Sequence, residues 1–118
     1  IGPAGAVTPL HHDLVNVILA QVRGRKRVSL IPSWQLHRVY NNREVFSAVD
    51  FDNPKLDAFP RFKAIKPLTV TLHPGQALLI PVGWWHHVRS LSLSISVTFT
   101  HFRKRNRFPW KHAFIRPI

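Results

Sequence analysis

The chain has 118 residues, 45% of them hydrophobic and only 19% charged, which bounds it to a single packed domain and excludes a disordered polymer. Cysteine is absent, excluding disulfides, zinc–thiolate sites and cysteine nucleophiles; this fits an expected cytoplasmic location, and with no apolar run near the ~18 residues of a membrane helix, no membrane partner is expected. The net charge of +12, from 17 basic against five acidic residues, admits nucleic acid as a partner, but the basic residues are scattered over several segments, so an acidic stretch elsewhere in the polypeptide is the favoured counterweight.

Gly2-Pro3-Ala4-Gly5 is a turn-rich opening, and an extended stretch follows it to His12. Residues 13–16 carry turn formers at both ends, and residues 17–23 are a nearly continuous apolar run short enough for a buried strand. Gly24-Arg25 then separates that run from residues 26–31, and a two-residue connection with glycine first predicts a type II′ hairpin between partner strands. Pro32 ends the second strand. Residues 33–67 differ in character: Ser33 is placed to cap a short helix over 34–40, and Pro54, Pro60 and Pro67 punctuate a loop-like insertion. Four of the five acids (Glu44, Asp50, Asp52, Asp57) lie in this insertion, which is expected to pack outside the sheet.

Strand alternation resumes over 68–72, and His73-Pro74-Gly75-Gln76 has the proline and glycine positions of a type II turn. Residues 77–80 form a buried strand, Pro81-Val82-Gly83 breaks it, and another strand runs over 84–91. Residues 93–99 alternate strictly, the clearest half-buried strand of the chain. Many short strands joined by Gly/Pro turns, without a long helix or a repeat, predict an all-β double-sheet jelly roll. The chain contains no methionine, even at its start, and we read it as part of a longer polypeptide.

Side chains two apart in a strand project from one face, so His11 and Asp13 are placed together while His12 points away. An imidazole and a carboxylate so placed supply two adjacent corners of a coordination sphere. A third ligand from a distant strand completes the facial 2-His-1-carboxylate set of non-haem iron oxygenases. The candidate for it lies in Trp84-Trp85-His86-His87-Val88, and alternation alone does not choose between the two histidines. Taken separately, an H-x-D tripeptide or a histidine pair beside tryptophans is more often chance or packing than ligation. Asp13 raises the weight of the combination, being the one acid outside the insertion and set between apolar strands, where an unpaired carboxylate is costly.

Four blocks carry a resemblance: Thr8-Pro9-Leu10-His11-His12-Asp13, Ala20-Gln21-Val22-Arg23-Gly24-Arg25-Lys26-Arg27, Pro74-Gly75-Gln76-Ala77-Leu78-Leu79-Ile80-Pro81 and Gly83-Trp84-Trp85-His86-His87-Val88. In this order and spacing the chain resembles the cupin-like JmjC hydroxylases, a family of iron(II)- and 2-oxoglutarate-dependent oxygenases. The resemblance covers residues 1–100 and implies a double-stranded β-helix of the jelly-roll kind, with its N-terminal strands outside this sequence. It implies a domain over 1–102, with 33–67 as an insertion and 103–118 as a basic C-terminal tail. It assigns His11, Asp13 and His86 to the metal, selecting His86 over His87 because the family's distal ligand directly follows tryptophan. Lys26 matches the lysine that binds the far carboxylate of 2-oxoglutarate, and Thr8 a threonine that assists it.

Thr8 and His11 lie about 10 Å apart along a strand, a suitable reach for a five-carbon dicarboxylate. A hairpin at Gly24 is expected to bring Lys26 near Thr8. The two residues have opposite strand parity, so Thr8 faces the site only where Pro9 kinks the strand. The chain departs from the family where relatives carry asparagine four residues after the ligand aspartate: Val17 stands there, with Asn16 one residue earlier as a substitute. Thr98 stands near a further co-substrate position on the last strand. Trp84 and Trp85 are candidates for the pocket wall, core packing being the commoner job for at least one of them.

The resemblance implies an enzyme that binds iron(II), takes 2-oxoglutarate and dioxygen, and hydroxylates a protein or peptide side chain rather than demethylating a histone. Two rivals remain at this point. A metal-binding or sugar-binding cupin of different chemistry keeps the three ligands but has no need of Lys26, and a nucleic-acid-binding module follows from charge alone.

Overall fold

The alternating and apolar runs form strands β1 (Val7–His11), β2 (Val17–Arg23), β3 (Lys26–Ile31), β4 (Leu68–Leu72), β5 (Ala77–Ile80), β6 (Trp85–Ser90) and β7 (Ile95–Phe99), with two 3-10 helices, Ser33–Arg38 and Pro60–Ala64, between β3 and β4. The computed structural model describes residues 1–41 and 44–100; the basic tail expected over 103–118 lies outside the described residues. The strands make a four-stranded sheet in the order β1-β6-β3-β4 and a three-stranded sheet in the order β5-β2-β7. All their pairings are antiparallel. Apart from the β3–β4 step, which spans the insertion, each connection carries the chain from one sheet to the other. That alternation is the jelly-roll path expected from the sequence.

One expectation is overturned. β2 and β3 are not hairpin partners: β2 pairs with β5 and β7, and β3 with β4 and β6. Gly24 takes the positive φ (72°) expected of a tight turn, but the turn hands the chain across the sandwich. Leu91 N donates to Arg25 O (2.9 Å) and Arg25 N to Ser92 Oγ (3.0 Å), so the turn is bonded to the β6–β7 connection instead of closing on itself. Turn chemistry is local and was legible; which sheet receives the next strand is decided by pairings with strands far along the chain, such as Val17 with Ile80 and Val28 with Val88.

The sheets enclose Val17, Leu19, Val28, Leu30, Leu72, Ile80 and Val88. A second cluster, Leu10, Ile31, Leu36, Val39, Val49, Phe62, Ile65 and Trp85, lies on the other face of the four-stranded sheet, beneath the insertion. Ile31 and Trp85 are fully buried there, each contributing roughly 1.5–3 kcal/mol. The insertion thus packs outside the sandwich. Its first helix is a 3-10 turn over Ser33–Arg38, shorter than the 34–40 helix expected, and its N-cap is Pro32 without a side-chain cap bond. Residues 84–91 and 93–99 likewise form somewhat shorter strands. Among the described residues no helix is long and apolar enough to cross a membrane.

Candidate metal centre

β1 pairs with β6, placing Val7 opposite Arg89, Thr8 opposite Val88 and His11 opposite His86, so β1 uses three residues where β6 uses two. This irregularity at Pro9-Leu10 acts as a bulge and resets the parity, turning both Thr8 and His11 toward the sandwich interior. Proline is suited to the bulge because it has no N–H to leave unpaired. On β6, His86 and Val88 face the interior. His87 faces the insertion, where its ring stacks on Phe51 at 4.6 Å and its Nε2 lies 3.2 Å from Asp52 Oδ2. The two adjacent histidines therefore serve opposite faces of one sheet.

Asp13 lies just past the end of β1, where its carbonyl accepts from Gly83 N at 3.1 Å. One donor atom from each of His11, Asp13 and His86 falls within 4.8 Å of the others. His11 Nε2 is 3.8 Å from Asp13 Oδ1, and His86 Nε2 is 3.2 Å from Asp13 Oδ2. Each ring is oriented from behind: His11 Nδ1 is bonded to Pro9 O (2.8 Å) and His86 Nδ1 to Trp84 O (3.0 Å). A carbonyl only accepts, so each Nδ1 carries a proton, and each Nε2 is directed at the carboxylate. Backbone carbonyls play this part behind metal-bound histidines generally.

Burial, and then the nearby His86, hold the His11 imidazole below its ordinary pKa, against weaker opposing effects of Pro9 O and Asp13. Burial pushes the Asp13 carboxyl up, but the hydrogen bond from His86 and the charges of His86, His11 and His12 outweigh it, so the net shift is downward. Asp13 is not deeply buried as the sequence suggested: its side chain is 37% exposed at the mouth of the site. An ionised carboxylate faced by a neutral His11 lone pair is unfavourable without a cation between them. The donor set therefore fits a divalent ion held by two Nε2 atoms and one carboxylate, with an open side.

A cavity of about 270 Å³ begins at these residues and is lined by Thr8, His11, Asp13, Lys26, His86 and Thr98, with Ser96 and the apolar Val17, Leu19, Ile80 and Val88 completing it. Lys26 has the same strand parity as Val28 and Leu30 and reaches the cavity from β3, not through the hairpin route expected. Burial lowers its pKa, and no carboxylate pairs with it among the described residues. Asn16 stands outside the lining; it is buried, and its Oδ1 accepts from Val82 N at 2.9 Å, pinning the turn before β6. Neither tryptophan lines the cavity: Trp85 is in the cluster under the insertion, and Trp84 packs edge-on to Trp34 at 5.5 Å. Ser96 was missed by sequence reasoning, although its parity with Thr98 on β7 was the available signal.

A double-sheet jelly roll with a histidine–aspartate–histidine group that could hold a metal ion at one end of its interior is the arrangement of the cupin class. Residues 1–108 match the Cupin-like domain family, and the chain belongs to it, within the JmjC-type cupins. It is 45% identical over 102 residues to Lysine-specific demethylase JMJ30 of Arabidopsis thaliana, covering 83% of this chain and 24% of that protein. Identity to Lysine-specific demethylase 8 of Xenopus tropicalis is 41% over 102 residues, covering 83% of this chain and 23% of the relative. Human HSPB1-associated protein 1 is 42% identical over 98 residues, covering 77% of this chain and 20% of the relative. The chain spans a fifth to a quarter of the length of these relatives.

Proposed function

We propose that this chain is the metal- and co-substrate-binding portion of an iron(II)- and 2-oxoglutarate-dependent oxygenase acting on protein side chains, and that its reaction is hydroxylation. The observation that carries the reading is the meeting of His11, Asp13 and His86 at one end of a cavity that also holds Lys26, a cation with no carboxylate partner among the described residues. Iron bound there supplies the redox chemistry that couples oxidative decarboxylation of 2-oxoglutarate by dioxygen to oxidation of a C–H bond. His11 Nε2, His86 Nε2 and one Asp13 oxygen hold the ion. Lys26 binds the far carboxylate of the co-substrate, which supplies an anion to a partly buried ammonium. Thr8, Ser96 and Thr98 offer hydroxyls to the same carboxylate, while Val17, Leu19, Ile80 and Val88 give the cavity an apolar wall. Asn16 acts indirectly, by fixing the turn that leads to His86.

Two of the named relatives are called lysine-specific demethylases. The charges here favour an uncharged target side chain. Asp13 is the single carboxylate of the cavity lining and is committed to the metal, so a methylated ammonium entering beside Lys26 meets no free counter-charge among the described residues.

Anaerobic titration of the protein with iron(II) and 2-oxoglutarate, read by the visible charge-transfer band of the complex, tests the assignment. The band is expected for the native chain and absent in His11→Ala; a band that survives that substitution sinks the ligand assignment. With peptide substrates, a product 16 mass units heavier supports hydroxylation, and formaldehyde release without it favours demethylation.

A further inference from the structure

β1 carries or adjoins two of the three ligand residues, yet it is the edge strand of its sheet and is bulged just before His11. An edge strand with a bulge is the least constrained place in a sandwich on which to hold a ligand. Its free edge is met by residues 45–47 of the insertion. His12 N donates to Val45 O at 2.9 Å, Ser47 N donates to Leu10 O at 3.0 Å, and His11 and Phe46 form an antiparallel bridge between these two bonds. Opposed residues placed so are a non-hydrogen-bonded pair, the closest side-chain approach in an antiparallel ladder, and both side chains project to the same face. The Phe46 ring accordingly lies against the His11 ring, with centroids 5.7 Å apart. One row across the sheet runs Phe46, His11, His86, Leu30, Leu68.

The 45–47 arm is anchored in turn. Ala48 N donates to Tyr40 O at 3.0 Å, Ser47 Oγ donates to Val39 O, and Val49 N donates to Ser47 Oγ at 3.0 Å. Val39 and Val49 belong to the cluster buried against the back of the sheet. Phe46 itself is 46% exposed, more than a ring serving only as core would be.

We infer that the insertion is a working part of the metal centre: its 45–47 arm is a partial fifth strand that holds residues 10–12 in place, and Phe46 is a positioning residue that sets the orientation of the His11 imidazole. The inference rests on the reading of His11, Asp13 and His86 as metal ligands. It makes the insertion, and not only the strands, a determinant of metal affinity.

The test is cobalt(II) titration of the native chain, His11→Ala, Phe46→Ala, Phe46→Leu and Ser47→Ala, read by the visible spectrum of the bound ion, with the apo melting temperature measured in parallel. A ring contact of this kind corresponds to a twofold to tenfold change in affinity, so Phe46→Ala is expected to bind cobalt about twofold to tenfold more weakly with a little-changed apo melting temperature. Phe46→Leu, which keeps an apolar side chain on the imidazole, should recover part of the loss, and Ser47→Ala, which frees the arm from Val39 and Val49, should weaken binding in the same direction. Native affinity and an unaltered cobalt spectrum in both Phe46→Ala and Ser47→Ala, with binding abolished in His11→Ala, overturn the inference and leave the metal site standing. Failure of the native chain itself to bind cobalt overturns the metal reading, and the inference falls with it.

Discussion

Lys26 carries a charge where its surroundings disfavour one. Burial lowers its pKa, it faces the sandwich interior, and the one carboxylate of the cavity lining, Asp13, lies against His11 and His86. A cation so placed costs stability in the empty protein and returns it when an anion binds. Lys26 is only partly buried, so Lys26→Met is expected to leave the melting temperature of the apo protein unchanged or slightly raised while weakening 2-oxoglutarate binding about tenfold, the scale of one hydrogen bond to a charged group still open to solvent. Differential scanning calorimetry and co-substrate titration check the two halves, and a destabilised Lys26→Met protein contradicts the account. Ser29, on the same strand but buried on the insertion side of the sheet, bonds Thr69 at 3.1 Å and has no part in this trade.

At the scale of elements, the turns between sheets decide whether the site assembles, and Gly24 is the tightest of them. Its φ of 72° disfavours any side chain, and an added Cβ would lie 2.1 Å from Leu93 O, a backbone atom fixed by the β6–β7 connection. Gly75 has a similar φ (87°) but open space where its Cβ would stand. Gly75→Ala should therefore cost about 1 kcal/mol, the backbone penalty alone, and Gly24→Ala at least about 3 kcal/mol. Urea denaturation orders the two; equal losses would mean that the inter-sheet crossing tolerates displacement. The same elements show what was legible. Strand positions could be read because alternation is local, and the type II turn at Gly75 because its chemistry is local. The assignment of β2 and β3 to different sheets could not, since β2 takes β5 and β7 as partners and β3 takes β4 and β6, all of them distant along the chain. For the site, strand parity pointed to the H-x-D pair, whereas His86 over His87 and Lys26 were singled out only by the resemblance to the JmjC family, since alternation left the two histidines open and a hairpin lysine among arginines is ordinary. The part played by 45–47 was not legible, because a short arm amid turn residues carries no period.

On the scale of the whole molecule, one strand of the three-stranded sheet, β7, reverses the usual sense of alternation, while β2 and β5 keep Val17, Leu19 and Ile80 inward. On β7 the polar Ser96 and Thr98 face the cavity, while Val97 and Phe99 point outward, 44% and 55% exposed. Registration with the neighbours extends this outward face into two apolar rows, Leu79–Ile18–Phe99 and Ala77–Ala20–Val97, and Val22, 57% exposed, has the same strand parity. Strict alternation over 93–99 thus correctly located a strand but gave no indication that its hydroxyls line a partly polar cavity. Such a contiguous apolar face on a chain of net charge +12 is unusual, since single exposed apolar residues are ordinary but whole rows are not. The chain is expected to enhance the fluorescence of a hydrophobic dye while fully folded, and Val97→Lys with Phe99→Lys should remove most of that signal without lowering the melting temperature by more than about 4 °C. The pair lies on the face opposite the cavity, so cobalt affinity should be unchanged. Dye binding that persists in the double variant would place the exposed apolar surface elsewhere, and a large loss of stability would mean these side chains are held inside the fold.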